Sequence, residues 1–200
     1  MNGRLRLLAF LFFLAAACAA PPPAPPRISR GQAIAVLPPN NRTGDPLLVP
    51  GASFLDRYAF HTEPVTVGDV LAGEARAQLT ERGFRVTPPE TVDAAAEGHV
   101  PRTPHAAAEI AAHGKLDGLV LYLEILRWEP DAPVHTKFVI VGLSASLVDS
   151  ASRNVVWELY RQPEPVATPG EFTLENAYET AARKVIGEIL SPLGAPQTAP

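Results

Sequence analysis

The chain has 200 residues, with 21 acidic and 17 basic side chains and a formal net charge of −4. Its length fits one domain with appendages. The acidic balance excludes the basic surface that binds nucleic acid and the basic face that holds a protein to anionic lipid. Cys18 is the only cysteine, so no disulfide can form within the chain.

The amino-terminal residues 1–17 begin with Arg4 and Arg6 and continue into the apolar run Leu7–Ala17. A helix of that length spans roughly 16 Å, whereas a bilayer core is about 30 Å thick. We therefore predict a secretory signal peptide, not a membrane span. Its removal would lower the basic count to 15 and the net charge to −6.

Cys18 directly follows the small residues Ala15–Ala17, and Ala19 comes next. This arrangement resembles the lipobox of bacterial lipoproteins, in which the cysteine is lipidated and becomes the mature amino terminus. The resemblance implies a lipid anchor at Cys18 and an outer-membrane, periplasm-facing location. The alternative is an ordinary signal peptide with an incidental cysteine.

Residues 18–31 are rich in proline and predict a linker in polyproline II conformation. At about 3.1 Å per residue, this linker could hold a domain ~35 Å from the bilayer. The last residues, 194–200, have no apolar periodicity and are expected to be a disordered tail. The folded domain is therefore predicted to span residues 32–193.

Apolar periodicity predicts alternating strands and helices within this domain. In chain order they are a strand at Ala33–Leu37, a helix from a Thr66 cap to Gly83, a strand at Phe84–Pro88, a helix at Pro104–His113 closed by Gly114, strands at Asp117–Glu129, Val134–Asp149 and Asn154–Arg161, and a helix capped by Thr173. The order β-α-β-α-β-β-β-α predicts an α/β fold. We expect a two-layer sandwich of a mixed sheet with helices mainly on one face.

Catalytic patterns are hard to find in this sequence. Its five histidines are not spaced as zinc ligands are. The segment Gly142–Ser146 begins like a nucleophile elbow, but it lacks the final glycine and falls within a predicted strand. Glu124 interrupts an apolar strand, where we expect it to pair with Arg127 or Arg161; the alternative is a functional carboxylate with a shifted pKa. We predict no metal, no cofactor and no enzymatic activity.

The segment between the first strand and the first helix is long, from about residue 40 to residue 64, and its middle part, Pro46–Phe60, is rich in apolar side chains. Structureless loops of about 25 residues are uncommon in compact domains unless they are functional or disordered. Two interpretations stay open: the apolar side chains cover the domain's own sheet, or they contact a partner. The candidate contact residues are Leu47, Leu48, Val49, Phe54, Leu55, Tyr58 and Phe60.

The segment Ile34–Asp45, "IAVLPPNNRTGD", resembles the first strand and turn of the amino-terminal domain of TolB and of the curli-secretion lipoprotein CsgG. Four segments together resemble a family of bacterial lipoproteins of unknown function built on that fold. They are Val36–Asn41, Glu81–Pro88, Leu116–Leu123 and Ala145–Trp157. The polar residues of the "NNRTGD" turn can satisfy its backbone amides, so we interpret this turn as a structural corner and not as an active site.

The resemblance implies a lipid-anchored periplasmic adaptor or assembly lipoprotein that works through protein–protein contacts, including those of transport or secretion complexes. Its expected partners are the membrane, through the lipid anchor, and either an envelope protein or a second copy of the chain. The contact would use a free sheet edge or the apolar loop. The alternatives are a carrier of a small ligand or lipid, and a subunit of a secretion channel.

Overall fold

The computed structural model describes residues 28, 31–49 and 64–194. The predicted leader, Cys18 and the predicted tail from residue 195 lie outside these residues. The elements are β1 (Ala33–Val36), β2 (Asn40–Asn41), α1 (Val67–Glu81), β3 (Arg85–Val86), α2 (Pro89–Ala96), α3 (Pro104–His113), β4 (Leu119–Pro130), β5 (Phe138–Asp149), β6 (Val155–Ala167) and α4 (Leu174–Leu190), followed by a 3₁₀ turn at Ser191–Leu193.

The strands form one mixed sheet in the order β3-β1-β4-β5-β6, with β2 also paired to β4. β1 runs parallel to both β3 and β4, and β4, β5 and β6 form an antiparallel meander. Two parallel crossovers followed by a meander confirm the predicted α/β class. β1 ends at Pro38 and Pro39, which lack the N–H that a ladder requires. β2 then resumes the pairing, opposite Glu124 and Ile125.

The two long helices, α1 and α4, pack on one face of the sheet and enclose the larger core cluster. This arrangement agrees with the predicted sandwich. The two short helices, α2 and α3, cover part of the opposite face, where Val92 and Ala108 pack against Val120 and Tyr122. As a result, the strand around Leu119–Leu123 is buried on both faces, as its apolar composition predicts.

Side-chain caps fix the start of both long helices, as predicted. At α1, the Asp69 N–H donates to Thr66 Oγ1 at 3.2 Å, and the Thr66 N–H donates to Asp69 Oδ2 at 2.8 Å. This reciprocal pair satisfies two amides that lack helical partners. At α4, the Asn176 N–H donates to Thr173 Oγ1 at 3.2 Å. Gly83 follows α1 with φ +85°, a conformation that glycine adopts without strain.

Several details differ from the predictions, among them the short strand β2, which was not predicted. Helix α2 was not predicted, so the chain has an additional helix between β3 and α3. β5 begins at Phe138 instead of Val134, because Asp131 Oδ1 accepts the N–H groups of Lys137 and Phe138 and holds the preceding residues in a turn. β6 runs past Arg161 to Ala167, across two prolines.

Gly114 closes α3, as predicted, but not through a left-handed conformation. Its φ is −76°, and the next residue, Lys115, takes the positive φ of 53°. The glycine is required here for space, because a Cβ atom at position 114 would lie 2.2 Å from the Ala95 side chain in α2.

Candidate functional site

The first part of the apolar loop is held against the start of α1. The Val49 N–H donates to Val65 O at 3.0 Å, and the Val67 N–H donates to Leu47 O at 2.9 Å. These two bonds flank an antiparallel bridge between Leu48 and Thr66. Leu47 takes a positive φ of 46°, so the pairing is confined to this isolated bridge, around which Leu48 is exposed and Val49 is buried.

This difference in burial divides the predicted contact residues. Val49 is buried in the core beneath α1 and α4, and Leu47 packs partly against the same core. The positions of Val49 and Leu47 agree with the interpretation in which the loop covers its own domain. Leu48 is 44% exposed, and Val65, which precedes its bridge partner Thr66, is also exposed. The contact prediction remains for Leu48; the remaining candidates, Phe54, Leu55, Tyr58 and Phe60, lie outside the described residues.

The "NNRTGD" turn is stabilised by its own side chains, which confirms its interpretation as a structural corner. Asn41 Oδ1 accepts the N–H and the hydroxyl of Thr43 at 3.0 and 2.8 Å, and Asn41 Nδ2 donates to Asp45 O at 2.6 Å. Gly44 takes φ +88° at the bend. An asparagine that bonds to backbone groups two and four residues ahead fixes such a turn.

The other two polar residues of this turn reach the sheet. Glu124 Oε1 accepts the Tyr122 hydroxyl at 3.0 Å and Asn40 Nδ2 at 3.4 Å, and Arg42 Nη1 lies 3.6 Å away. Burial, together with the adjacent Glu124 carboxylate, raises the pKa of Tyr122 well above its usual value. The phenol therefore stays protonated and keeps its donor role toward Glu124.

The partner predicted for Glu124 was wrong. Arg127 pairs with Glu129 at 2.7 Å, and Arg161 pairs with Glu188 in α4 at 3.1 Å. Arg42 takes their place because β2 runs beside β4 at this level. The pairing is distant in sequence, and only the observed register could reveal it.

Across residues 28, 31–49 and 64–194, no three His, Cys, Asp or Glu side chains converge as a metal site would require. Among the helices described, none combines the length and apolar character of a membrane span.

Sequence reasoning missed two exposed apolar side chains at the other end of the meander. Val134 is 61% exposed and Phe172 is 73% exposed. Val134 lies between β4 and β5, and Phe172 lies between β6 and α4. An isolated apolar residue in a loop carries no periodicity, so only its exposure in the fold distinguishes it.

No protein-family model matches the sequence, and no curated protein matches it. Several solved structures do match the fold of this chain. The PelC dodecamer from Paraburkholderia phytofirmans superposes with a TM-score of 0.54 at 20% identity, over 87% of this chain and 95% of that one. This chain shares its fold with PelC.

A point variant of the same PelC dodecamer gives a TM-score of 0.52 at 20% identity, over 86% of this chain and 94% of PelC. Lipoprotein GNA1162 from Neisseria meningitidis gives 0.47 at 15% identity, over 80% and 93% of the two chains. The superposition on PelC shows a shared fold, but sequence identities this low do not transfer the function of PelC to this chain. The narrower resemblance to TolB and CsgG stays a prediction.

Proposed function

We propose that this chain is a lipid-anchored protein of the bacterial cell envelope that faces the periplasm and acts through protein–protein contacts. Cys18 would carry the anchor, and the exposed pair Leu48 and Val65 would belong to the contact surface. The role is that of an adaptor or assembly protein without catalytic activity.

The position of the exposed pair carries this proposal. The chain enters the domain at the amino end of β1, and Ile28 just before it is already buried in the core. Leu48 follows β2, which pairs with β4 at Glu124 and Ile125. β4 starts beside β1 at Leu119. At about 3.3 Å per residue, the part of β4 that pairs with β2 lies roughly 20 Å along the strand from Leu119. The exposed apolar pair thus lies away from the tether, where a protein can reach it.

The ionisable groups with shifted pKa values have structural explanations, which supports a role without catalysis. The Ser152 N–H, at 2.7 Å from Asp149 Oδ1, lowers the pKa of Asp149 and closes the turn before β6. The hydrogen bond from Arg127 lowers the pKa of Glu129. Burial alone raises the pKa of Tyr178.

The carrier alternative would need an apolar cavity between the sheet and its helices. In the described part of the chain, the layer beneath α1 and α4 is filled by core side chains. Three grooves of 230, 300 and 330 Å³ in that part are all open to solvent. Two of these volumes reach the lower end of ligand pockets, about 300 Å³, but none of the three is enclosed, so the packing favours the contact protein.

Two variants of the full chain in a bacterial host test the anchor and the contact separately. Cys18→Ser should move the protein from the membrane fraction to the released fraction. Leu48→Asp should remove it from larger complexes on native gels, whereas Val155→Asp should not. Val155 is a matched control because it is 42% exposed, against 44% for Leu48. Membrane attachment without Cys18 would contradict the anchor, and equal effects of the two aspartates would contradict the contact surface.

A further inference from the structure

The groove between α2 and α3 combines an apolar floor with a charged rim. Three partly or fully buried side chains form its floor: Ala95, Ala96 and Ile110. Four exposed side chains form its rim: Glu97, His99, Glu109 and His113. The small alanine side chains leave a volume of 300 Å³ that is open to solvent. This volume is at the lower end of ligand pockets, about 300 Å³, so the groove has room for one long side chain.

Both helices have their carboxyl ends at the groove. α2 ends at Ala96 and α3 ends at His113, and residues from both last turns line the groove. The carboxyl end of a helix carries a partial negative charge, equivalent to roughly half an elementary charge. The two helix ends therefore make the electrostatic potential of the groove more negative and favour a cation there.

Two carboxylates add full negative charges to the rim. Glu109 Oε1 lies 3.0 Å from Arg153 Nη1 and 3.9 Å from His105 Nε2, so its charge is partly balanced. Glu97 takes part in none of the ion pairs between described residues. The Glu97 carboxylate is therefore the group that a cation in the groove can neutralise.

The whole layer formed by α2 and α3 is acidic. Residues 89–117 contain five acidic side chains: Glu90, Asp93, Glu97, Glu109 and Asp117. The same residues contain two basic side chains, Arg102 and Lys115. The formal net charge of the layer is −3 with neutral histidines, and −2 when Arg153 is included. This balance attracts cations and repels anions from the groove.

An amphipathic cation suits this combination of floor and rim. Arginine and lysine side chains lay an aliphatic stem on apolar surface and keep a cationic head in water. In the groove the stem would lie on the alanine and isoleucine side chains of the floor, and the head would reach Glu97. His99 Nδ1 lies 3.1 Å from Ala96 O, which holds the imidazole at the rim and keeps the groove open.

Val100 indicates that the cation belongs to a protein. It follows His99 in the chain and is 48% exposed, so apolar surface continues beyond the groove. A free amine would leave this side chain in water, whereas a protein that inserts one basic residue can cover it with the neighbouring residues. Arginine is also one of the residues that dominate the binding energy of protein interfaces.

We propose that the α2–α3 groove binds one arginine or lysine side chain of a different envelope protein. Glu97 accepts the cationic head, and Val100 contacts the apolar residues on either side of it. The proposal rests on the proposed function, because it specifies the chemistry of the protein partner. It adds a second contact surface to that of Leu48 and Val65.

Titration of the purified full chain with defined peptides tests this assignment. The probe is the pentapeptide acetyl-Ala-Val-Arg-Val-Ala-amide, and its control carries citrulline, which has the shape of arginine without the charge. In NMR spectra, the arginine peptide should shift the amide signals of residues 95–99 and 110. The citrulline peptide should bind about threefold to fivefold more weakly, as expected for an exposed ion pair of up to roughly 1 kcal/mol. Equal affinities, or no shifts at these residues, overturn the proposal.

Two variants of the chain locate the charge that attracts the peptide. Glu97→Gln should lower the affinity for the arginine peptide about threefold to fivefold and leave that for the citrulline peptide unchanged. Glu90→Gln is the matched control, because Glu90 is an exposed carboxylate of α2 that does not line the groove. Equal losses in the two variants would show that only net charge attracts the peptide, which contradicts a site at the groove.

Butylguanidine separates a protein partner from a free cation, because it carries the head and stem of arginine without a peptide. It should bind more weakly than the arginine peptide, and Val100→Ser should weaken the binding of the peptide only. Butylguanidine that binds as tightly as the peptide overturns the assignment to a protein partner. An unchanged peptide affinity in Val100→Ser overturns it as well.

The native gels and membrane fractions described above separate this proposal from the proposed function. If Leu48→Asp removes the chain from larger complexes but the arginine peptide does not bind, the groove site is overturned and the anchored contact protein remains. If the peptide binds but the unmodified chain is absent from the membrane fraction and from larger complexes, the proposed function is overturned and the groove remains a site for a basic side chain.

Discussion

The two halves of the central sheet face different surroundings. In the proximal half, where β1 pairs with β4, helices cover both faces, and the Leu119–Leu123 side chains are all buried. In the distal half, from Glu124 onward, α4 covers one face and the other is open. Glu124, Ser144 and Tyr160 lie side by side in one cross-strand row on that open face.

This difference shows how one sheet can serve two purposes. A strand buried on both faces tolerates little change, because every side chain is packed. A strand covered on one face can vary its outer residues freely and present them to a partner. We therefore expect substitutions in the proximal half to affect stability and those in the distal half to affect contacts.

The largest effect should come from Leu121→Ala in the proximal half. Leu121 is fully buried, and its truncation leaves a cavity that typically costs about 2–5 kcal/mol of unfolding free energy. Tyr160→Ala on the open face should change that free energy by less than about 0.5 kcal/mol. Urea unfolding of the purified protein measures both. Similar losses would show that the two halves do not differ as proposed.

A smaller effect is expected from Gly118→Ala, where the chain enters β4. Gly118 has φ +80°, and an added Cβ would lie 2.3 Å from Ala33 O in β1. Strain and clash should destabilise the protein by more than about 1 kcal/mol. Gly73→Ala is the matched control, because it is helical with nothing within 4 Å and should stabilise by about 0.5–1 kcal/mol. Thermal unfolding of the pair should give opposite signs; a tolerated Gly118→Ala would contradict this close approach.

Tyr122→Phe tests the boundary between the halves. The Tyr122 ring packs in the proximal core, and its hydroxyl donates to Glu124 in the distal half. Loss of this hydrogen bond to a carboxylate should lower the unfolding free energy by about 1.5–3 kcal/mol at most. The loss is smaller if water takes the place of the phenol hydroxyl. If Glu124→Gln already weakens the bond, the double variant should lose less than the sum of the two. Strict additivity in urea unfolding would show that the two side chains are not coupled.

The smallest effect should be a pH dependence at the turn before β6. The Ser152 N–H lowers the pKa of Asp149 in the folded state. The ionised Asp149 thus adds stability at pH values above its unfolded pKa, about 3.9. That stability is lost as the pH falls through the lower folded pKa. Asp149→Asn should flatten this part of the stability curve between pH 6 and pH 2. An unchanged curve would exclude Asp149 as its source.

The twice-buried strand and the long helices were predictable because their rules are local. The apolar run around Leu119–Leu123 indicates burial on both faces, and Thr66 and Thr173 mark helix starts through side chains that cap nearby amides. Helix α2 lacks these features. Its N-cap is Pro88, which offers no side-chain bond, and it ends at Glu97 in the left-handed conformation that usually indicates glycine.

The extension of β6 was not predictable, because prolines normally end a strand. β6 lies at the outside of the sheet order. The Thr168 N–H donates to Lys137 O, in the segment that precedes β5. Successive backbone nitrogens of a strand point to opposite sides, so the nitrogen of Pro165, three residues earlier, points away from β5. The missing N–H therefore costs no ladder bond. The Arg42–Glu124 pair depends on the complete fold in the same way, since its two members are distant in sequence.

The burial of Ile28 and the parallel pairing of β1 have a mechanical consequence. A pull on the amino terminus reaches the domain at one end of β1 and runs along that strand. If the far end of the sheet, beyond Pro130, is held, β1 must slide lengthwise against β3 and β4, so its hydrogen bonds share the load and do not break one after another. The fold is therefore arranged to resist traction between its amino terminus and its far end.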